Sequence, residues 1–294
     1  MSARHPDPQL PAGAVVAGID KTPVAHLALD WAADHAAKER RPLVVVHATG
    51  SLGTAGTTWL DHADALTEPT LIEMERQGQA LVAEATDRVT ARHPSLRVTP
   101  LVVMEDAAPE LVHLSSTASL VVTGSRGHGI SRSVPTGQVG TWLARRTSCP
   151  VVVVPDHNLG TVRQGVLAGV RVDHPEDAVL EFAYRYASVH DLPVTIAHAS
   201  RGARGDQEEL RCDLAETASG YAERYPDVWA HTLLLPGRPV RKLLDLAERM
   251  HLLVVGQHHP TGLHESPFGH VRSSIVDRSP CPTVVVPVQV GEPV

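Results

Sequence analysis

The chain has 294 residues, of which 43% are hydrophobic and only 3% aromatic, enough for two domains with cores of Val, Leu, Ala and Ile. The net charge is −7 with scattered lysines and arginines, which argues against a nucleic-acid partner because no basic stripe faces a phosphate backbone. Apolar runs are shorter than the roughly 18 residues of a membrane span, and the N-terminus lacks the apolar core of a signal peptide, so we expect a cytoplasmic protein without a membrane partner.

The first half of the chain contains five short apolar runs that alternate with stretches of helical periodicity. The runs are Val-rich and unalternating, which is typical of parallel strands buried on both faces. Between them, apolar residues recur at helical spacing, as in Leu27, Ala28 and Trp31. The sequence predicts strands at 13–19, 42–48, 97–103, 119–124 and 150–155, and helices at 22–40, 69–92, 107–118 and 137–147.

The second half repeats the first. ASLVVTGSRGHG at 118–129 aligns with MHLLVVGQHHPT at 250–261, an offset of 132, whereas Gly18 aligns with Gly169 at an offset of 151. The first half therefore carries an insertion after its second strand. Strands are predicted near 163–170, 192–198, 228–235, 251–256 and 282–287.

These patterns predict an α/β protein of two tandem doubly wound domains, each with a five-stranded parallel sheet. We place the first domain at 1–156 and the second at 157–294, and call them the first and second repeat. Because a sheet has exposed edges, we expect the two domains to pair within the chain through their closing strands. A homodimer is expected by analogy.

Ligand-binding chemistry is concentrated where strands one and four of the first repeat end. In an open parallel sheet, ligands bind beyond the carboxyl ends of the strands, where the winding reverses. Gly18 and Asp20 end strand one, and GSRGHG at 124–129 ends strand four with glycines that permit positive φ and a close approach to a ligand. Gly137 begins the next helix, whose first N–H groups form an anion site. Asp20 has an alternative role as the cap of the following helix.

Gly124, Gly127 and Gly137 have the spacing G-x2-G-x9-G, which resembles the ATP-binding motif of the universal stress protein family. The resemblance covers nearly the whole chain, since both repeats carry similar first, second and closing strands. It implies a tandem universal stress protein of the Rossmann-like, adenine nucleotide alpha-hydrolase-like fold, with ATP, with or without Mg²⁺, as the cofactor of the first repeat.

By the same resemblance, Asp20 approaches the ribose and adenine, Ala48 offers backbone polar groups to the adenine, and the segment 124–139 holds the phosphates. The implied cofactor-binding residues are Gly18, Asp20, Ala48, Gly124, Arg126, Gly127, Gly137, Gln138 and Val139.

Two departures from the motif affect this interpretation. The Ser or Thr that ends it is replaced by Gln138, whose longer amide must fold back to donate to a phosphate. In the second repeat Arg171 stands in place of Asp20 and His259 in place of Gly127. These changes remove a hydroxyl acceptor and add a Cβ where glycine permits a left-handed backbone. We predict that the second repeat binds ATP weakly or not at all.

Other candidate sites have simpler interpretations. His258, His259, His264 and His270 lack regular metal-ligand spacing and are interpreted as solvated loop residues, so no metal is predicted. Cys149 and Cys281 each precede a proline and a Val-rich strand, and are interpreted as small buried residues rather than nucleophiles. The insertion at 49–69 is either a lid or a mobile loop.

Three functions fit the sequence. The leading one is a non-catalytic ATP-binding stress-response or signalling protein with an unknown protein partner, because Walker A, nucleophile-elbow and HExxH motifs are absent. A slow ATPase is the second; it would need Mg²⁺ and a group that positions water, for which Asp20 is the candidate acid. The third is a nucleotide-free interaction scaffold of the same fold, in which Gln138 marks lost binding.

Overall fold

A computed structural model describes residues 10–50, 68–125, 139–156, 164–171, 177–200, 207–257 and 275–288. The chain divides into two compact units, residues 1–122 and 123–294. In both units, parallel strands alternate along the chain with helices, so the fold is α/β as predicted. Within the described ranges, no helix is long and apolar enough to cross a membrane.

The first unit contains a parallel sheet with the order β3-β2-β1-β4. The strands are β1 (Val15–Gly18), β2 (Leu43–Ala48), β3 (Val98–Val103) and β4 (Leu120–Gly124), the last of which continues past the end of the unit. The helices are α1 (Pro23–Lys38), α2 (Glu68–Arg92) and α3 (Ala107–Leu114). Ala17 of β1 pairs with Val45 on one side and Val122 on the other.

The second unit has the strand order β5-β10-β9-β6-β7-β8. Its strands are β5 (Val151–Val154), β6 (Val166–Gly169), β7 (Val194–Ser200), β8 (Ala230–Pro236), β9 (Leu252–Gln257) and β10 (Thr283–Pro287). Its helices are α4 (Val139–Leu143), α5 (Asp177–His190), α6 (Gln207–Arg224) and α7 (Pro239–Ala247). The second repeat thus has a parallel sheet of order β8-β7-β6-β9-β10, and its winding reverses between β6 and β9.

The central strands of both units form where the sequence has runs of Val and Leu, because β-branched side chains suit a pleated surface covered on both faces. Every residue of β5 is buried, and so is every residue of β9. Small residues let the first helix lie close to the sheet. Ala28, Leu29 and Ala32 of α1 have no exposed surface, so the apolar stripe predicted for this helix forms part of the core.

The closing strands of the two repeats pair with each other. β5 runs antiparallel to β10, with Val152 opposite Val284. Both strands belong to the second compact unit, so the units divide at 122/123 rather than at the end of the sequence repeat. The domain limits 1–156 and 157–294 therefore stay a prediction based on the repeat.

Two predicted helices are shorter than expected. α3 ends at Leu114 rather than 118, and α4 ends at Leu143 rather than 147. After α4 the chain forms turns in which the N–H of Thr147 donates to the carbonyl of Leu143 at 3.1 Å. The guanidinium of Arg146 lies 4.5 Å from the centre of the Trp142 ring, a cation–π contact that holds this turn against the helix.

Candidate ligand site

Gly18 ends β1 in the first repeat and faces α3. A Cβ at this position would lie 3.0 Å from Cδ1 of Leu111, which is tighter than most Cβ contacts, so the leucine side chain would have to shift by a few tenths of an ångström. In the second repeat a Cβ on Gly169 would lie 3.0 Å from Cδ1 of Leu243 in α7. The close approach of a helix leucine therefore favours glycine at both strand ends, independently of any ligand.

Asp20 lies two residues before the N-cap of α1. Its Oδ1 accepts a hydrogen bond from the backbone N–H of Thr22 at 2.9 Å and a second one from the Thr22 hydroxyl. The residue in the N-cap position is Thr22, followed by Pro23 at the first helical position, so Asp20 acts from two residues before the cap. The expectation that Asp20 is itself the N-cap is therefore wrong: the N-cap is Thr22, and Asp20 holds that residue through its N–H and hydroxyl. Among the described residues, Oδ2 of Asp20 has no hydrogen-bond partner.

The end of β2 is joined to β1 by a histidine that lies outside the sequence motifs. Nδ1 of His47 lies 3.0 Å from the carbonyl oxygen of Ile19, the residue before Asp20. Ala48 follows and is in register with Val103 of β3. A signal for His47 was present, because the second strands of both repeats read His-Ala at the equivalent place.

The end of β4 is described only as far as Ser125. The N–H of Ser125 donates to the carbonyl of Val154 at the end of β5, at 2.7 Å. Gly124 does not have positive φ, so the first glycine of the motif is in ordinary backbone conformation. Arg126, Gly127, Gly137 and Gln138 lie outside the described residues. Val139 begins α4.

The topology explains which of these residues share an edge. β1 lies between β2 and β4, and all three strands are parallel. The carboxyl ends of neighbouring parallel strands lie at the same edge of a sheet, and the winding reverses at β1. Asp20 and Ala48 therefore follow neighbouring strands at this edge. Gly124 ends the other neighbour of β1, two residues beyond the Val122 that pairs with Ala17.

The second repeat has the same backbone arrangement with different chemistry. Nδ1 of His198 lies 3.1 Å from the carbonyl oxygen of Val170, as His47 does from Ile19. Arg171 then occupies the position of Asp20. Gln257, the last residue of β9, is aligned with Ser125, which follows β4 in the first repeat. Gln257 is only 2% exposed, and its Nε2 has no hydrogen-bond partner among the described residues.

The remaining candidates add little to this edge. Cys149 and Cys281 are buried, as the sequence predicted. Within the described ranges, no three His, Cys, Asp or Glu side chains are grouped so that they would hold a metal ion. His258, His259, His264 and His270 lie outside those ranges, as does most of the 49–69 insertion.

Comparison with known proteins identifies the family. The model of the universal stress protein family matches residues 13–155 and again residues 164–287. The chain belongs to the universal stress protein family. The two matches coincide with the two sequence repeats, so this is a tandem universal stress protein.

Several curated universal stress proteins are similar over nearly their whole length. Universal stress protein Rv1996 of Mycobacterium tuberculosis is 27% identical, with 92% of this chain and 94% of the relative covered. Rv2623 of the same organism is 28% identical, with 92% and 95% covered. A universal stress protein from Archaeoglobus fulgidus superposes with a TM-score of 0.70 at 17% identity, covering 93% of this chain and 96% of that one. This likeness supports the shared fold.

Two further universal stress proteins have been solved with ligands. One is in complex with cAMP and aligns with 50% of this chain, and one from Archaeoglobus fulgidus is in complex with dAMP and aligns with 43%. Their TM-scores of 0.37 and 0.33 are too low to transfer a ligand to this chain.

Proposed function

We propose that the first repeat of this universal stress protein binds ATP at the carboxyl edge of β1 and β2. The observation that carries the proposal is the position and fixation of Asp20. Two hydrogen bonds from Thr22 to Oδ1 hold the carboxylate at the end of β1. The second carboxylate oxygen is the one that would accept a hydroxyl of a ribose, since an ionised carboxylate only accepts hydrogen bonds.

The neighbouring groups suit the rest of the nucleotide. Ala48 follows His47 at the end of β2, and its backbone polar groups would meet the edge of the adenine. The glycine motif that starts at Gly124 is proposed to hold the phosphates through backbone N–H groups, with Arg126 adding charge-assisted hydrogen bonds. Mg²⁺ would bind to the phosphates rather than to a protein cluster.

The second repeat differs at the position that carries the proposal. Arg171 replaces the carboxylate with a cation that has no acceptor for a ribose hydroxyl. We therefore propose one ATP per chain. The protein would act as a stress-response or signalling module that changes its surface for a protein partner when ATP binds, without chemistry on the nucleotide. A cytoplasmic location and a homodimer stay predictions.

The test is nucleotide binding by the full-length protein. Denaturing extraction measures the nucleotide that copurifies, and titration calorimetry measures the affinity for ATP. We expect about one ATP per chain, and an affinity at least about tenfold lower for Asp20→Ala, which loses a hydrogen bond to a charged group. Gly124→Ala is expected to weaken binding as well.

The matched control is Arg171→Ala, which truncates the equivalent residue of the second repeat and should leave ATP affinity within about twofold, a difference well under the value of one such hydrogen bond. Equal losses in the two variants would overturn the assignment to the first repeat. Absence of binding in the unchanged protein would favour the scaffold function. Phosphate release with Mg²⁺ that is lost in Asp20→Ala would instead favour the slow ATPase.

A further inference from the structure

The carboxyl edge of the second repeat carries charges opposite to those of the first. Arg171 replaces Asp20 after the first strand. The helix that follows the third strand shows the same reversal: α3 of the first repeat has Asp106 at its N-cap and Glu110 in its first turn. The aligned positions in α7 are Arg238 and Lys242.

The basic start of α7 is unfavourable for the helix alone. A helix N-terminus carries a partial positive charge, so acidic residues stabilise it and basic residues destabilise it. Besides Arg238 at the N-cap and Lys242, the first turn contains Arg241 and no acidic residue. Within the described part of the chain, no carboxylate forms an ion pair with any of these three cations. Helix stability therefore does not explain this basic turn.

A buried amide lies at the same edge. Gln257 is 2% exposed, and within the described part of the chain its Nε2 has no hydrogen-bond partner. This arrangement costs free energy unless a ligand or water accepts the hydrogen bonds. Val255, two residues earlier on β9, pairs with Gly169 of β6. Since side chains alternate along a strand, Gln257 lies on the same face of the sheet as Val255.

This face is the one that α7 covers. A Cβ on Gly169 would touch Leu243 of α7 at 3.0 Å and Val255 at 3.4 Å, so Gly169, Val255 and α7 meet on one face. The start of α7 follows β8 and therefore lies at the carboxyl edge, one turn before Leu243. Arg171 lies at that edge two residues after Gly169. The winding reverses between β6 and β9, which is where open parallel sheets bind ligands.

We propose that the second repeat binds a small, multiply charged oxyanion between β6, β9 and the start of α7. Arg171 and the basic turn supply cationic donors, the first N–H groups of α7 point at the ligand, and Gln257 donates its unpaired amide hydrogens. All of these groups are donors, which suits a phosphate or polycarboxylate and disfavours a ribose. The second repeat is then a site of changed specificity rather than a lost nucleotide site.

Calorimetric titration of the full-length protein at low ionic strength tests this site, with inorganic pyrophosphate and citrate as the two probes. We expect one of them to bind once per chain, and preference between them distinguishes a phosphate ligand from a polycarboxylate. Gln257→Leu is expected to lower that affinity by about tenfold or more, the value of a hydrogen bond to a charged group. Its urea midpoint should stay equal or rise, because a buried donor without a partner is removed.

A surface double variant keeps the test independent of core packing. Arg238→Asp with Lys242→Glu copies the residues of the first repeat, and should abolish anion binding while α7 becomes no less stable. Arg211→Ala, which removes an exposed cation from α6, is the control and should change nothing. The site is overturned if neither probe binds, or if binding survives Gln257→Leu and the double variant.

The outcome is separable from the ATP proposal. Asp20→Ala should leave pyrophosphate or citrate binding intact, because the two sites lie in different repeats. Loss of anion binding in Asp20→Ala would assign the anion to the first repeat and refute the second site. Loss of ATP binding together with retained, Gln257-dependent anion binding would support it.

Discussion

Nδ1 of His47 donates a hydrogen bond to the carbonyl oxygen of Ile19, 3.0 Å away, and so fixes the backbone on which Asp20 is carried. A carbonyl oxygen only accepts, so Nδ1 carries the proton in this hydrogen bond. The second repeat forms the equivalent bond between His198 and Val170 at 3.1 Å. The two repeats thus share a bond that joins their first and second strands.

We expect His47→Ala to lower the free energy of unfolding by about 1–2 kcal/mol, because it leaves the carbonyl of Ile19 without this donor. It should also weaken ATP binding, since the strand end that carries Asp20 loses a restraint. Urea unfolding measures the first effect and calorimetry the second.

His198→Ala is the matched control, because it removes the same bond from the second repeat. Its stability loss should be similar, whereas its ATP affinity should be unchanged. If both variants weakened ATP binding equally, the effect of His47 would be a general loss of stability.

The sequence predicted every strand of both repeats, because a buried parallel strand corresponds to a short, continuous Val-rich run in the sequence. The order of the strands was not predictable, since pairing joins residues far apart, such as Ala17 and Val122. The role of Asp20 was left between two alternatives because the bond from the Thr22 hydroxyl depends on rotamers. Gln257 was missed for a different reason: the burial of its amide depends on tertiary packing and has no local signature in the sequence.

The glycines at the ends of β1 and β6 give a second pair of matched predictions. Gly18→Ala and Gly169→Ala each introduce a Cβ that meets a leucine at 3.0 Å. Overpacking of this kind costs about 1–3 kcal/mol, so each variant should unfold at a lower urea concentration. A variant as stable as the parent would show that the leucine moves aside without cost.

Two helix ends in the structure carry a correctable strain. Arg40 after α1 and Asp191 after α5 both have φ of 53°, and they occupy equivalent positions of the two repeats. The two helices end in the same way. The N–H of Arg41 donates to the carbonyl of Ala36, and the N–H of Leu192 donates to the carbonyl of Ala187. Glycine is the residue that adopts this conformation without a Cβ penalty.

We therefore expect Arg40→Gly and Asp191→Gly each to raise the free energy of unfolding by about 0.5–1 kcal/mol. Glycine removes the penalty of a Cβ in the left-handed conformation, and this gain is partly offset because glycine makes the unfolded chain more flexible. Thermal and urea unfolding check the gain. Arg40→Ala keeps the Cβ and should show none, so a gain in that variant would assign the effect to the arginine side chain instead.

The tyrosines of the second repeat predict a loss of stability at high pH. Burial raises the pKa of Tyr184, Tyr221 and Tyr225. Tyr221 donates to the carbonyl of Asp177 at 3.0 Å, and Tyr225 donates to Oε1 of Glu181 at 2.7 Å. The carboxylates of Asp177 and Glu181 raise the pKa of Tyr221 further, and the carboxylate of Glu181 does the same for Tyr225.

Since a tyrosine in the unfolded chain ionises with a pKa of about 10, the unfolded state releases its protons first as the pH rises. The stabilisation from these neutral tyrosines is complete below pH ~10 and is lost as the pH climbs toward their raised pKa values. Urea unfolding at a series of alkaline pH values, with tyrosinate absorbance recorded in parallel, should show this decline. Tyr225→Phe removes one titrating group and keeps the ring, so its decline should be shallower; an identical slope would mean that Tyr225 ionises equally in both states.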